Sequence, residues 1–125
     1  MSTTIIRIAH HIPKHPYEKI KNAVLGNAYM LTLAFIGEAR AQTLNRVHRK
    51  KTYVPNVLSF PLTSDAGEIY ITPEVAKREA QKYDMTVSGY IGYLFIHGLL
   101  HLKGHDHGAT MEEAEQKYVR QFKLR

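Results

Sequence analysis

Between residues 97 and 107 the sequence reads HGLLHLKGHDH, which places four of the chain's eight histidines within eleven positions. His97 and His101 stand four apart, so on a helix both imidazoles leave the same face one turn apart and can share a metal ion. A third donor is then needed. Were the helix to continue, His105 would lie about 12 Å along the axis from His97, too far to share an ion with bonds near ~2.1 Å. Gly104 offers a way out, because a glycine in the left-handed conformation ends a helix and turns the chain back, which brings His107 to the ion. Asp106 stands beside it, either as an oxygen ligand or as a carboxylate hydrogen-bonded to a ligating ring.

The chain has no cysteine, so disulfides and thiolate metal sites are excluded and any ion is held by nitrogen and oxygen. Three imidazoles leave a coordination position for water, whose pKa falls to about 7 on zinc. That is the open arrangement of a catalytic site, whereas structural sites are closed by four protein ligands. The expected cofactor is one divalent metal ion, zinc first, with nickel and other transition metals also suited to imidazole. The spacing H-x-x-x-H-x-x-G-x-x-H is similar to that of the metzincin metalloproteases. Those enzymes carry a glutamate base directly after the first histidine, where this chain has Gly98, and peptide hydrolysis is disfavoured.

The elements that must position these residues follow from periodicity. Residues 3–9 (TIIRIA among them) read as a strand, and Pro16 opens a helix with Ile20, Val24 and Leu25 at helical spacing, ending near Gly26 or Asn27. Residues 30–37 read as a buried strand. From Glu38 a helix runs through EARAQTLNRVHR with Ala41, Leu44 and Val47 on its inner face. Residues 56–62 and 68–72 predict a hairpin across TSDAG. Three helices follow, from Pro73 to near Tyr83, from near Val87 to Lys103, and from Thr110 to Lys123, the last with Thr110 and Glu113 as a capping box. The order βαβαββααα predicts an α+β fold, a small mixed sheet of about four strands packed with helices. Tyr90, Tyr93 and Phe95 on the histidine helix read as core.

At 125 residues the chain is expected to form one domain over 1–125, large enough for a hydrophobic core without staples. Its opening lacks the apolar run of a secretory signal, and its most apolar stretch, 90–102, is shorter than a membrane span of roughly 20 residues, so a cytoplasmic location away from membranes is expected. The net charge of +6 is one-sided. Residues 1–60 hold nine Lys and Arg against two acids, and residues 61–125 hold eight against nine. A positive field confined to one half suits a polyanion such as RNA as well as a solvated surface.

Beyond the histidines, LNRVHRKKTYVPNVLSFP (44–61), GEIYIT (67–72) and MEEAEQKYVRQF (111–122) complete a pattern over roughly the last two thirds of the chain. Together with HGLLHLKGHDH it resembles the YbeY family, metal-dependent endoribonucleases of ribosomal RNA maturation and ribosome quality control. The family usually has Asp where Glu68 stands, Thr-Asp or Thr-Asn at Pro55 and Asn56, and Tyr at His105. The resemblance implies that His97, His101 and His107 are metal ligands and catalytic, and that Arg49 is the catalytic arginine of the cleft. It implies single-stranded ribosomal RNA as substrate, with the ribosomal subunit or ribosome-associated proteins as partners. Arg49 suits a phosphate clamp, since a planar guanidinium holds two phosphate oxygens and stabilises developing charge. Arg46, Lys50 and Lys51 are the expected backbone-tracking charges, and Ser59 a hydrogen-bonding group for substrate. Glu38 and Glu68 are candidate general bases, and His10, His11 and His15 read as surface histidines or an accessory metal tract.

Overall fold

The computed structural model describes residues 3–7, 12–105 and 108–124. His10, His11, Asp106 and His107 lie outside the described residues. Elements follow in the order β1 (Thr3–Arg7), α1 (Tyr17–Leu25), β2 (Met30–Phe35), α2 (Glu38–Arg49), β3 (Val57–Thr63), β4 (Ala66–Ile71), α3 (Pro73–Ala80), a 3-10 turn (Gln81–Tyr83), α4 (Val87–Lys103) and α5 (Ala109–Gln121). The sheet is mixed, with strand order β1-β2-β4-β3. β1 runs parallel to β2 and β2 parallel to β4, while β3 and β4 form the expected antiparallel hairpin.

Alternation along the strands sends Leu31, Leu33 and Phe35 of β2 and Ile69 and Ile71 of β4 to one face. There they meet Tyr17, Ile20 and Val24 of α1, the apolar residues of α4, and Met111 and Tyr118 of α5. The opposite face is thinner, where α2 lays Ala41 and Leu44 over Ala34, Ile36 and Tyr70. α4 is buried nearly all round, from Tyr90 and Ile91 to Leu99 and Leu100, as a helix without a polar face must be. Lys21 of α1 is fully buried as well, and its Nζ donates to the carbonyls of Gly26, Asn27 and Tyr29, tying the end of α1 to the start of β2.

Two local expectations are corrected. The inner face of α2 is formed by Ala41, Leu44 and Asn45, and Val47 is 61% exposed. The loop after α2 folds back under the helix, where Asn45 Nδ2 donates to the Tyr53 carbonyl at 2.9 Å and Gln42 Nε2 to that of Thr52 at 2.9 Å, so a buried amide takes the inner position. Thr110 does not cap α5. Gly108 holds the N-cap with φ 149° and no side-chain cap, the helix starts at Ala109, and Thr110 already lies within it.

α4 crosses β3 and β4 at Gly98. A Cβ there would meet Ser59 Oγ at 3.0 Å and Ile69 Cδ1 at 3.1 Å, and Ser59 Oγ donates to the Gly98 carbonyl at 3.1 Å. The space that a glutamate base would need after the first histidine is filled by the sheet. Gly98→Glu is expected to lower the unfolding free energy by about 3 kcal/mol or more, through overpacking and burial of a carboxylate. Gly98→Ala is expected to cost far less, since a gain in helix propensity of about 1 kcal/mol offsets the tight contact. Urea denaturation of both variants measures the difference.

Candidate metal centre and cleft

His97 and His101 occupy the penultimate and last turns of α4, on the flank that the neighbouring elements leave partly open. Their Nε2 atoms converge to 3.1 Å, and the rings meet edge to face with centroids 4.6 Å apart. Two nitrogens bound at ~2.1 Å to one tetrahedral ion stand about 3.4 Å apart, so the observed pair lies within a few tenths of an ångström of ligand spacing. The donor set fits a divalent transition metal.

Gly104 follows with φ 105°, and its N–H is accepted by the His101 carbonyl. The His105 N–H reaches back to the Leu100 carbonyl at 3.0 Å, which closes the helix in a Schellman turn. The expected helix end is therefore present, and His105 is directed away from the helical line. Among the described residues no group of three or more metal-ligating side chains is assembled. His107, the expected third ligand, lies outside them.

Behind His97 stands a group that the sequence reading missed. Glu115 of α5 is 4% exposed, and its Oε2 meets His97 Nδ1 in a short contact. A carboxylate on the far nitrogen of an imidazole fixes the ring and its tautomer, the usual support of a metal-bound histidine. Tyr93 Oη donates to the other carboxylate oxygen at 3.4 Å. The signal for Glu115 was its phase: Met111, Glu115 and Tyr118 share the buried stripe of α5, while Glu112 and Glu113 are exposed.

An open cleft of about 450 Å³ runs in front of the two histidines, lined by Arg49, Tyr53, Pro55, Asn56, Val57, Ser59 and Pro61 as well. Arg49 comes from the last turn of α2, whose basic residues Arg46, His48 and Arg49 crowd its C-terminal end. The structure thus brings Arg49, Ser59, His97 and His101 to one cleft. Arg46, Lys50 and Lys51 are exposed and lie outside its lining, with Lys50 in the left-handed conformation that ends α2. Ser59 commits its hydroxyl proton to the Gly98 carbonyl and so offers the cleft only an acceptor. The amide of Asn56 is held at both ends, Nδ2 donating to Glu79 Oε1 at 2.9 Å and Oδ1 accepting from the Val57 N–H at 2.6 Å.

Neither candidate general base reaches the cleft. Glu38 pairs with Arg78 on the surface, and Glu68 alternates with Ile69 onto the α2 face of the sheet, where it accepts from Tyr70 Oη at 3.2 Å. His15 contacts the Ser88 carbonyl at 2.8 Å, remote from the cleft lining.

Burial, with the Glu115 carboxylate alongside, pushes the Tyr93 hydroxyl up from its ordinary value near 10 to about 12. Between those two values the folded chain holds a proton that the unfolded chain has lost, so this group's stabilising contribution falls as pH rises through that window. Denaturant midpoints measured from pH 10 to about 12 are expected to drop, and Tyr93→Phe is expected to flatten the decline.

A family model described as Endoribonuclease YbeY matches residues 2–123. A relative of that name in Mesoplasma florum is 33% identical over 119 residues, covering 86% of this chain and 68% of the relative. Another, in Bdellovibrio bacteriovorus, is 38% identical over 90 residues, covering 70% and 60%. The solution structure of TM1509 from Thermotoga maritima superimposes with a TM-score of 0.64 at 25% identity, over 95% of this chain and 89% of that one. The match with these two relatives thus spans about two thirds of their length. A family model matched from the first strand to the end of the last helix leaves one assignment: this chain belongs to the YbeY family.

Proposed function

We propose that this chain is a metal-dependent endoribonuclease that cuts single-stranded RNA, acting in the cytoplasm on ribosomal RNA during its maturation and in ribosome quality control. The observation that carries the reading is the cleft itself, which an exposed arginine lines together with two imidazoles whose Nε2 atoms converge. His97, His101 and His107 would hold one divalent ion, zinc or another imidazole-binding transition metal. When bound, such an ion supplies Lewis acidity and lowers the pKa of water. Arg49 engages the phosphoryl oxygens and stabilises the charge that develops on them, the effect of largest weight in phosphodiester cleavage by an enzyme. Arg46, Lys50 and Lys51 guide neighbouring phosphates along the end of α2. Ser59 holds α4 against β3, and Glu115 holds the His97 ring. Ribosomal subunits or ribosome-associated proteins are the matching partners. Among the described residues no helix is long and apolar enough to cross a membrane.

The test is cleavage of an end-labelled single-stranded RNA by the zinc-loaded protein. Arg49→Ala is expected to lower kcat on the order of 100-fold, as for loss of one transition-state donor. His107→Ala is expected to abolish cleavage while remaining folded. Glu115→Gln is expected to weaken zinc binding about 10- to 100-fold by calorimetry, without touching substrate. RNA that is bound but left uncut by the loaded protein would instead make it an assembly factor whose metal is structural.

A further inference from the structure

A row of aromatic rings leads away from the paired histidines along α4. Tyr93 lies 6.3 Å from His97 between ring centroids, Tyr90 stacks on Tyr93 at 5.8 Å and 21°, and Tyr83 of the 3-10 turn stacks on Tyr90 at 5.4 Å and 13°. The inner rings are fixed in the core. Tyr90 is 3% exposed, and its hydroxyl donates to Glu79 Oε1 at 2.8 Å, the same oxygen that takes the Asn56 amide. Tyr83 is the outermost ring and is 62% exposed.

Its backbone is as firmly set as the inner rings. Asp84 turns the chain in the left-handed conformation at φ 54°, its N–H bonded to Gln81, and the Met85 N–H closes on the Ala80 carbonyl at 3.1 Å. The row lines a side pocket of about 270 Å³ with Asn56, Val57, Leu94 and His97, and three of these, Asn56, Val57 and His97, also line the main cleft. The pocket therefore adjoins the cleft in which a phosphodiester would be cut. Its volume falls just below the range that takes whole drug-sized molecules. Lys82 and Asp84, the neighbours of Tyr83 in the chain, carry opposite charges that offset each other.

We propose that Tyr83 is a base-stacking platform, on which a base of the bound single-stranded RNA, a few nucleotides from the cut linkage, extends the tyrosine row. The inference rests on the ribonuclease reading above and names a binding residue that the metal centre does not supply. Stacking of this kind accepts any base, because every base presents a π face. A ring already stacked on a buried neighbour loses less freedom on binding than an unsupported one.

The experiment compares wild type, Tyr83→Ala and Tyr83→Phe, each zinc-loaded and matched for unfolding midpoint, on one single-stranded RNA and on copies carrying a single abasic site at successive positions around the cut. Tyr83→Ala is expected to raise KM on the order of 5- to 100-fold with a much smaller change in kcat, and Tyr83→Phe to stay within about twofold of wild type. At one position the abasic substitution is expected to cost wild type a similar factor and Tyr83→Ala nothing more, the coupling that marks a direct contact. An unchanged KM in Tyr83→Ala, or abasic losses that multiply with it at every position, would overturn the platform while leaving the nuclease intact. Wild type that neither binds nor cuts the RNA would remove both readings together.

Discussion

The architecture turns on the approach of α4 to the β3-β4 hairpin at Gly98. With no side chain between them, the helix backbone comes close enough for Ser59 to donate to the Gly98 carbonyl, and Ile69 fills the space beneath. This fixes the height of α4 above the sheet, and with it the distance from His97 and His101 to the strand that forms the other wall of the cleft. A helix so apolar buries every other side, so the two imidazoles emerge along the one flank left partly open. The cleft is a by-product of close packing, since its floor and one wall are the same contact seen from outside.

Glu115 is the second constraint. A carboxylate at 4% exposure carries a desolvation cost that only a well-placed partner offsets, and the His97 imidazole with Tyr93 supplies that partner. Packing energy alone would favour an apolar residue at this position between Met111 and Tyr118. A buried acid that orients an imidazole whose other nitrogen faces an open cleft belongs to the chemistry of the site more than to the stability of the helix.

Much of the fold was legible because each element carries its own signal. The switch from period 2 to period 3.6 at Glu38, the hairpin across TSDAG and the helix closed by Gly104 all depend on residues within a few positions of one another. What escaped depends on how elements dock. Asn45 displaces Val47 from the inner face of α2 only because the following loop folds back beneath the helix. Glu115 differs from Glu112 and Glu113 by phase alone, and that phase acquires meaning once α5 is laid against α4. Arg49 was identified by family likeness, and its place beside the histidines follows from the path of β3.

The burial of α4 on nearly all sides also sets the order in which the molecule can assemble. Its partners are α1, α3, α5 and the β3-β4 hairpin, all but α5 preceding it along the chain, and β2 joins β4 only by bridging the whole of α2 and β3. During synthesis the sheet and first helices emerge before the apolar helix that completes them, and such non-local pairing is slow. The histidines come to line one cleft with Arg49 only once α4 has packed. Until α4 packs, a strongly apolar helix is left exposed, and the same packing that covers it completes the cleft in front of the histidines.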